Sequence, residues 1–426
     1  VSFALGVLPV ALLLLGFPIF VVLLAAVTVA LVFFMNVPLG ALHQNMYGAI
    51  DAFPLLAIPF FIYAGELMGR GSVAQRLVDA VQAGVGRVPG SLGVTTVATS
   101  AIFGAISGAA AATVATIGKI MVPAMRRAGY PETFAAGLIT AVGAIDVVIP
   151  PSIPLIVYGA AAQESVPRLY AAGVLPGLLI AGLLAVYVVW FARRHGLHAS
   201  ERFELARFAR AVARGAWALG APFIILGGIY GGVFSPTEAA GVACVYAAFV
   251  TRVVYRDIPW REILDAAGAT AVFTAQILII VACASVFSWL LTVNQVPTAV
   301  VAWIASHELA PWMILLALNV LLLVVGCFID PLSAILVLTP LLVPIVKGAG
   351  IDTVHFGIVL TVNLAIGLFH PPFGINIFVA QSVLGLKLAV IYRGIVPFLG
   401  LYLIALLVIT YVPEISLAGV KLFLAR

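Results

Sequence analysis

The chain is 426 residues long, 64% hydrophobic and only 9% charged, against roughly 25% charged residues in an ordinary soluble domain. So few charges cannot furnish a polar skin, which excludes a water-soluble globular protein. A formal net charge of +5 does not point to nucleic acid, because the basic residues sit between long apolar runs.

Taken in chain order, no Asp, Glu, Lys or Arg occurs from Val1 to Ile50, from Val88 to Gly118, from Ala266 to Ser306 or from Leu309 to Ile329. Each stretch reaches or exceeds the roughly 20 apolar residues that cross a bilayer as helix. Lipid offers the backbone no hydrogen-bond partners, so these runs are predicted to be helices. The N-terminus lacks a basic segment and continues into a second apolar run, so no cleaved signal peptide is expected. Cys244, Cys283 and Cys327 are scattered among apolar neighbours and read as small core residues.

Arg193, Arg194, Arg202, Arg207, Arg210 and Arg214 face only Glu201 and Glu204. This basic linker (193–215) is expected on the cytoplasmic side, and Phe203, Phe208 and Val212 among the arginines suggest a surface helix. It divides an N-terminal half, 1–192, from a C-terminal half, 216–426. The halves repeat each other: Pro123, Ala128, Gly129, Thr140, Pro150, Pro151, Gly173 and Pro176 reappear at a constant offset as Pro344, Ala349, Gly350, Thr361, Pro371, Pro372, Gly394 and Pro397. Duplicated halves, often inverted, are a mark of secondary transporters, and inversion is the expectation.

Each half is broken twice. Phe103 to Gly108 divides one apolar run and Gly326 to Pro331 another, which predicts re-entrant hairpins at about 91–127 and 312–348. Double prolines at Pro150-Pro151 and Pro371-Pro372 interrupt the following segments, since proline removes a donor and restricts its predecessor. Carbonyls freed there can be satisfied by protein, water or a cation, while hairpin tips present helix N-termini that favour an anion. The fold class expected is an all-α polytopic membrane protein of two internal repeats with two re-entrant hairpins. Asp330 can either ligate a cation or cap the second hairpin arm, and Glu66 and Glu238 read as end-caps or interface partners.

In their order, Pro59-Phe-Phe-Ile-Tyr-Ala-Gly-Glu-Leu-Met68, Ser107-Gly108 with Ala112-Thr-Val-Ala115, Ile149-Pro-Pro-Ser-Ile-Pro154, Ser235-Pro-Thr-Glu-Ala-Ala240, Phe328-Ile-Asp-Pro331 and Pro371-Pro-Phe-Gly-Ile-Asn376 resemble the large membrane subunit (DctM-like) of tripartite ATP-independent periplasmic, or TRAP, transporters. The resemblance covers essentially the whole chain. It implies a bacterial inner-membrane permease with an elevator motion, importing small organic carboxylates with Na+ as coupling ion and no other cofactor. It also implies a separate small membrane subunit (DctQ-like) and a periplasmic substrate-binding protein (DctP-like). Carried over, one cation site falls among Gly104, Ser107, Asp146 and Ile149 and a second among Gly326, Gly367, His370 and Phe373. Substrate would lie within reach of Ser107, Ala109, Thr113 and Asn376. Asp146 stands where a small residue is usual and His370 where Thr is frequent, which admits a proton contribution. The competing readings are a stand-alone two-repeat organic-anion or ion transporter, a channel, and an intramembrane enzyme. The six histidines show no metal-ligand spacing that would favour the last.

Overall fold

The computed structural model describes residues 3–35, 39–86, 88–197 and 204–424. Among the described residues the regular structure is entirely helical. A π-turn at Phe3–Val7 leads into α1 (Leu8–Leu14) and α2 (Ile19–Phe34). Next come α3 (Leu39–Ile50), a 3₁₀ turn at Phe53–Leu56, α4 (Ala57–Arg70) and α5 (Val73–Val85). The hairpin α6 (Ser91–Ser107) and α7 (Ala110–Arg127) follows, then α8 (Glu132–Val142), α9 (Ile153–Ala162) and α10 (Val166–Arg194). The second half runs through α11 (Leu205–Tyr230), α12 (Pro236–Phe249, continued by a π-turn to Val254), α13 (Trp260–Val293) and α14 (Val296–Ser306). It ends with the hairpin α15 (Pro311–Gly326) and α16 (Pro331–Gly348), then α17 (Thr353–Gly367), α18 (Ile375–Leu384), α19 (Leu388–Tyr411) and α20 (Pro413–Leu424).

Among the described residues six helices are long and apolar enough to cross a membrane, or seven if the bent pair Gly40–Ile50 and Phe53–Arg70, angled at 57°, forms one span. Large apolar side chains such as Val186, Phe223, Val245 and Val272 point outward, as they must where the solvent is lipid. The offset read from the prolines extends to the helices themselves. α3 and α13 begin at Leu39 and Trp260, α7 and α16 at Ala110 and Pro331, and α8 and α17 at Glu132 and Thr353, each pair 221 residues apart. One half bends where the other does not: α3 and α4 are separated by a break, whereas α13 runs unbroken for 34 residues. The pairing reaches individual bonds. Thr140 donates its hydroxyl to Ala136 O and Thr361 donates to Gly357 O, both at 2.7 Å.

The helices pack in two groups. α4 lies against α12, α5 against α11, and α13 against α2 and α3. Further inside, α8 packs on α19, α7 on α18 and α16 on α9, each pair joining the two halves, while α15 packs on α17 within the second half. Several starts are fixed by side chains. Ser235 and Glu238 form a capping box at α12, and Asp352 accepts from Val354 N and His355 N at α17, satisfying donors a helix start leaves open.

Two sequence expectations need correction. Phe103 to Ser107 is helical, and the first break is confined to Gly108 and Ala109. Gly108 adopts φ +58°, a left-handed conformation glycine takes without strain; the glycine at 104 serves packing instead. The basic stretch is not a separate surface helix. α10 runs through Arg194 and α11 starts at Leu205, so Arg207, Arg210 and Arg214 ride on the first turns of a 26-residue helix. Its charges end where the apolar sequence of α11 begins. Glu201, Arg202 and Phe203 lie outside the described residues.

Candidate functional site

The second pair of breaks lies in the loops after α8 and α17. α8 passes through a 3₁₀ turn, Gly143–Val147, and the chain then crosses a cis Pro150–Pro151 bond. Ser152 holds this bend from both sides, donating to Val147 O at 2.5 Å and accepting from Leu155 N as the cap of α9. After α17 the chain crosses a cis Pro371–Pro372 bond, and Gly374 leads into α18. Each break faces one hairpin, α6 against the 3₁₀ turn and α15 against α17.

At the first meeting point Asp146 lies against Gly104, where a Cβ would collide with its carboxylate. Asp146 is fully buried, and neither of its oxygens has a hydrogen-bond partner. The Thr113 hydroxyl faces the carboxylate without reaching bonding geometry. Ser107 is equally buried, its hydroxyl 3.5 Å from that of Thr113 and accepting from Ala109 N at 3.4 Å. Gly104, Ser107, Thr113 and Asp146 are therefore brought together. The Ile149 side chain fills the space over Gly177 of α10, which leaves only its main chain to face this point.

At the second meeting point Gly326 and Gly367 touch backbone to backbone, and a Cβ on Gly367 would collide with Gly326 O. A cavity of about 90 Å³ opens beside them, lined by residues 326–331 together with Gly367, Leu368, Phe373 and Ile375. His370 directs Nδ1 toward Cys327 Sγ, 3.0 Å away, and toward Pro371 O. The Phe373 ring is exposed and sits 5.8 Å from the Phe328 ring. Asp330 caps α16, accepting from Leu332 N and Ser333 N at 3.1 Å and from the Ser333 hydroxyl at 2.5 Å.

Between the two tips lies a cavity of about 340 Å³. Its wall carries the first residues of four helices: Ala110 of α7, Ile153 of α9, Pro331 of α16 and Ile375 of α18. All four begin at the breaks. Each helix N-terminus carries roughly half a positive charge, which favours an anion on this wall without any basic side chain, although Asp330, also on the wall, offsets the α16 start with its own carboxylate.

Ala109 and Asn376 line this cavity, whereas Ser107 and Thr113 stand behind the tip. Asn376 reaches across the repeats, donating Nδ2 to Thr140 O at 3.3 Å while its buried Oδ1 has no partner. Sequence reasoning missed the outer wall, which α13 supplies through Phe273, Gln276, Ile277 and Ile280. Gln276 could have been noticed as a long polar side chain in the charge-free stretch 266–306. Glu66 pairs with Arg70 at 3.2 Å, and Glu238 belongs to its capping box, so both acids act at helix ends.

Residues 6–415 match the family model for the DctM component of the tripartite ATP-independent periplasmic transporter. The chain belongs to this family. It is 41% identical to the C4-dicarboxylate TRAP transporter large permease protein DctM of Pseudomonas aeruginosa, over 89% of this chain and 88% of that one. It is 37% identical to the ectoine/5-hydroxyectoine large permease protein UehC of Ruegeria pomeroyi, over 96% of each chain. The 2,3-diketo-L-gulonate large permease protein YiaN of Escherichia coli is 36% identical over 92% of each. Among solved structures, the YdaH transporter of Alcanivorax borkumensis superposes with a TM-score of 0.61 at 15% identity, over 90% of this chain and 87% of that one. That likeness concerns the fold alone. The permease is thus a multi-pass inner-membrane protein and not an enzyme, and its family works as tripartite systems with a small membrane subunit and a periplasmic binding protein.

Proposed function

We propose that this permease imports a small organic acid, held between the two hairpin tips, by coupling its movement to Na+. The observation that carries the reading is the convergence of four helix N-termini on one cavity. Such a wall favours a carboxylate or sulfonate and requires no arginine. The substrates in the relatives' names share an acidic group: C4-dicarboxylate, isethionate and diketogulonate are anions, and ectoine is a zwitterion that carries a carboxylate.

Na+ enters as cargo at the two meeting points of tip and break. Gly104, Ser107, Asp146 and Ile149 form the proposed first site, and the buried, unbonded Asp146 carboxylate suits a hard cation. The same carboxylate could take a proton instead. Gly326, Gly367, His370 and Phe373 form the proposed second site, where backbone oxygens dominate. Substrate contacts fall to Ala109 and Asn376 on the cavity wall, with Ser107 and Thr113 behind them holding the tip.

The inner group of helices, with both hairpins, is the proposed moving body of an elevator, and the outer group with α13 its fixed wall. Inverted orientation of the halves would give the cavity an equivalent exit on each side. The small membrane subunit and the periplasmic binding protein are proposed as separate chains.

Uptake of labelled carboxylates and sulfonates into proteoliposomes holding the permease, its small subunit and the cognate binding protein tests this. Uptake that needs both an inward Na+ gradient and the binding protein is expected. Uptake indifferent to the binding protein would indicate a stand-alone carrier, and dependence on protons alone would overturn the sodium assignment.

A further inference from the structure

Far from the transport cavity, α5 and α11 pack side by side in opposite directions. Gly215 of α11 lies close to Arg76 O of α5, at 3.2 Å from a Cβ placed there, and Gly84 of α5 meets the Phe208 ring at 3.1 Å. Beside this seam a cavity of about 650 Å³ opens, within the roughly 300–1,000 Å³ typical of small-ligand sites.

Its lining follows helical spacing on both sides. α5 presents Gln75, Arg76, Asp79 and Gln82, and α11 presents Arg207, Arg210 and Arg214, with Ser72 at one end. Among the described residues, four arginines and one carboxylate line the cavity, and Asp79 is already engaged by Gln75 Nε2 at 2.8 Å. Arg76 is held in place from below: its guanidinium lies 3.9 Å from the Tyr255 ring centroid, and Nε donates to Ser72 Oγ at 2.9 Å. Asp257, outside the lining, accepts from Ser72 N at 2.6 Å. Among the described residues no carboxylate pairs with Arg76, Arg210 or Arg214. Planar, multi-donor guanidiniums converging from two helices match the oxygens of a phosphate.

We propose that this cavity binds a phosphate-bearing anion at the cytoplasmic face of the membrane. The basic end of α11 places it on that side, where basic pockets between membrane helices take acidic lipid headgroups. A headgroup seated there would bridge α5, the helix leading into the first hairpin, to α11.

The full-length permease is purified in detergent and offered phosphatidylglycerol or phosphatidylcholine of identical chains, with bound lipid counted by native mass spectrometry. Inorganic phosphate is titrated in a separate arm. Retention of phosphatidylglycerol over phosphatidylcholine is expected, reduced by about tenfold or more in the Arg210→Gln, Arg214→Gln double variant. Asp79→Asn should bind more tightly. Arg193→Gln, Arg194→Gln, which removes equal charge outside the cavity, should bind as the unaltered chain does. If millimolar phosphate displaces the lipid, or binds alone with the same loss in the double variant, the site is a phosphate site that soluble anions also reach. Equal retention of both lipids without phosphate binding would overturn the proposal. So would equal losses in the two double variants, or a double variant that binds normally while eluting as a single folded species.

Discussion

The two meeting points of hairpin and broken helix correspond at the offset of 221 with their acids exchanged. In the first half the position after the tip is Ala109 and the position in the break is Asp146. At the offset of 221, the second half places Asp330 after its tip and Gly367 in its break. Asp330 is spent on local structure, taking two backbone donors and a hydroxyl at the start of α16. Asp146 is spent on nothing within the protein, because both its oxygens are buried and unbonded. Burying an ionised carboxylate without partners costs several kcal/mol, so its survival there argues for a visiting cation or proton. The proposed first site would thus be built around a side chain, and the proposed second around two glycine backbones in contact.

That contrast predicts different responses to added bulk. Gly367→Ala drives a methyl into Gly326 O, and no side chain can move aside to relieve it. Overpacking of this kind costs about 1–3 kcal/mol, and separating α15 from α17 should lower transport by about tenfold or more. Gly104→Ala meets the Asp146 carboxylate first, so a second substitution, Asp146→Ala, should recover part of the lost stability. Thermal unfolding of the single and double variants, beside uptake, measures this. If Gly367→Ala unfolds and transports as the unaltered chain does, the backbone contact has no bearing on the second site.

Removing the charge without the volume isolates the first site. Asp146→Asn should raise the sodium concentration for half-maximal uptake by about tenfold, equivalent to about 1.4 kcal/mol, with substrate half-saturation measured at high sodium changing much less. The reverse result, a stable variant with unaltered sodium dependence, would make the carboxylate a bystander. Asn376→Ala acts on the other ligand class. It removes a buried amide at the edge of the cavity whose Nδ2 donates to Thr140 O, so substrate half-saturation should rise several-fold with sodium dependence preserved. A variant with altered sodium dependence and normal substrate affinity would reverse the assignment of roles.

Much of this contrast was legible before any coordinates. Charge-free stretches mark helices because lipid excludes uncompensated backbone, and paired prolines mark breaks because they cannot donate. Both signals are local and chemical, so they survive without tertiary information. The exchange of acids also stands in the sequence once the two halves are aligned. The outer wall was not legible, because Phe273, Gln276, Ile277 and Ile280 reach the cavity only through the packing of α13 across both halves. Nor was the difference between Ser107 and Asn376. Both are small, buried polar residues beside breaks, and only the packing of α18 brings Asn376 to the lining of the cavity.

The smallest expected effect comes from making the second tip resemble the first. Asp330→Ala installs the residue found at the equivalent position 109, where α7 starts with no side-chain cap. Loss of the two accepted backbone bonds should cost about 1 kcal/mol, a modest fall in melting temperature. If Asp330 acts only as a cap, Asp330→Asn should restore most of that stability, because asparagine caps nearly as well, and uptake should track stability in both variants. Because Asp330 also lines both the small cavity and the substrate cavity, the asparagine variant carries the sharper information. Full stability with altered sodium dependence would assign the second site an acid of its own, and the exchange of acids between the halves would then be a difference of position rather than of chemistry.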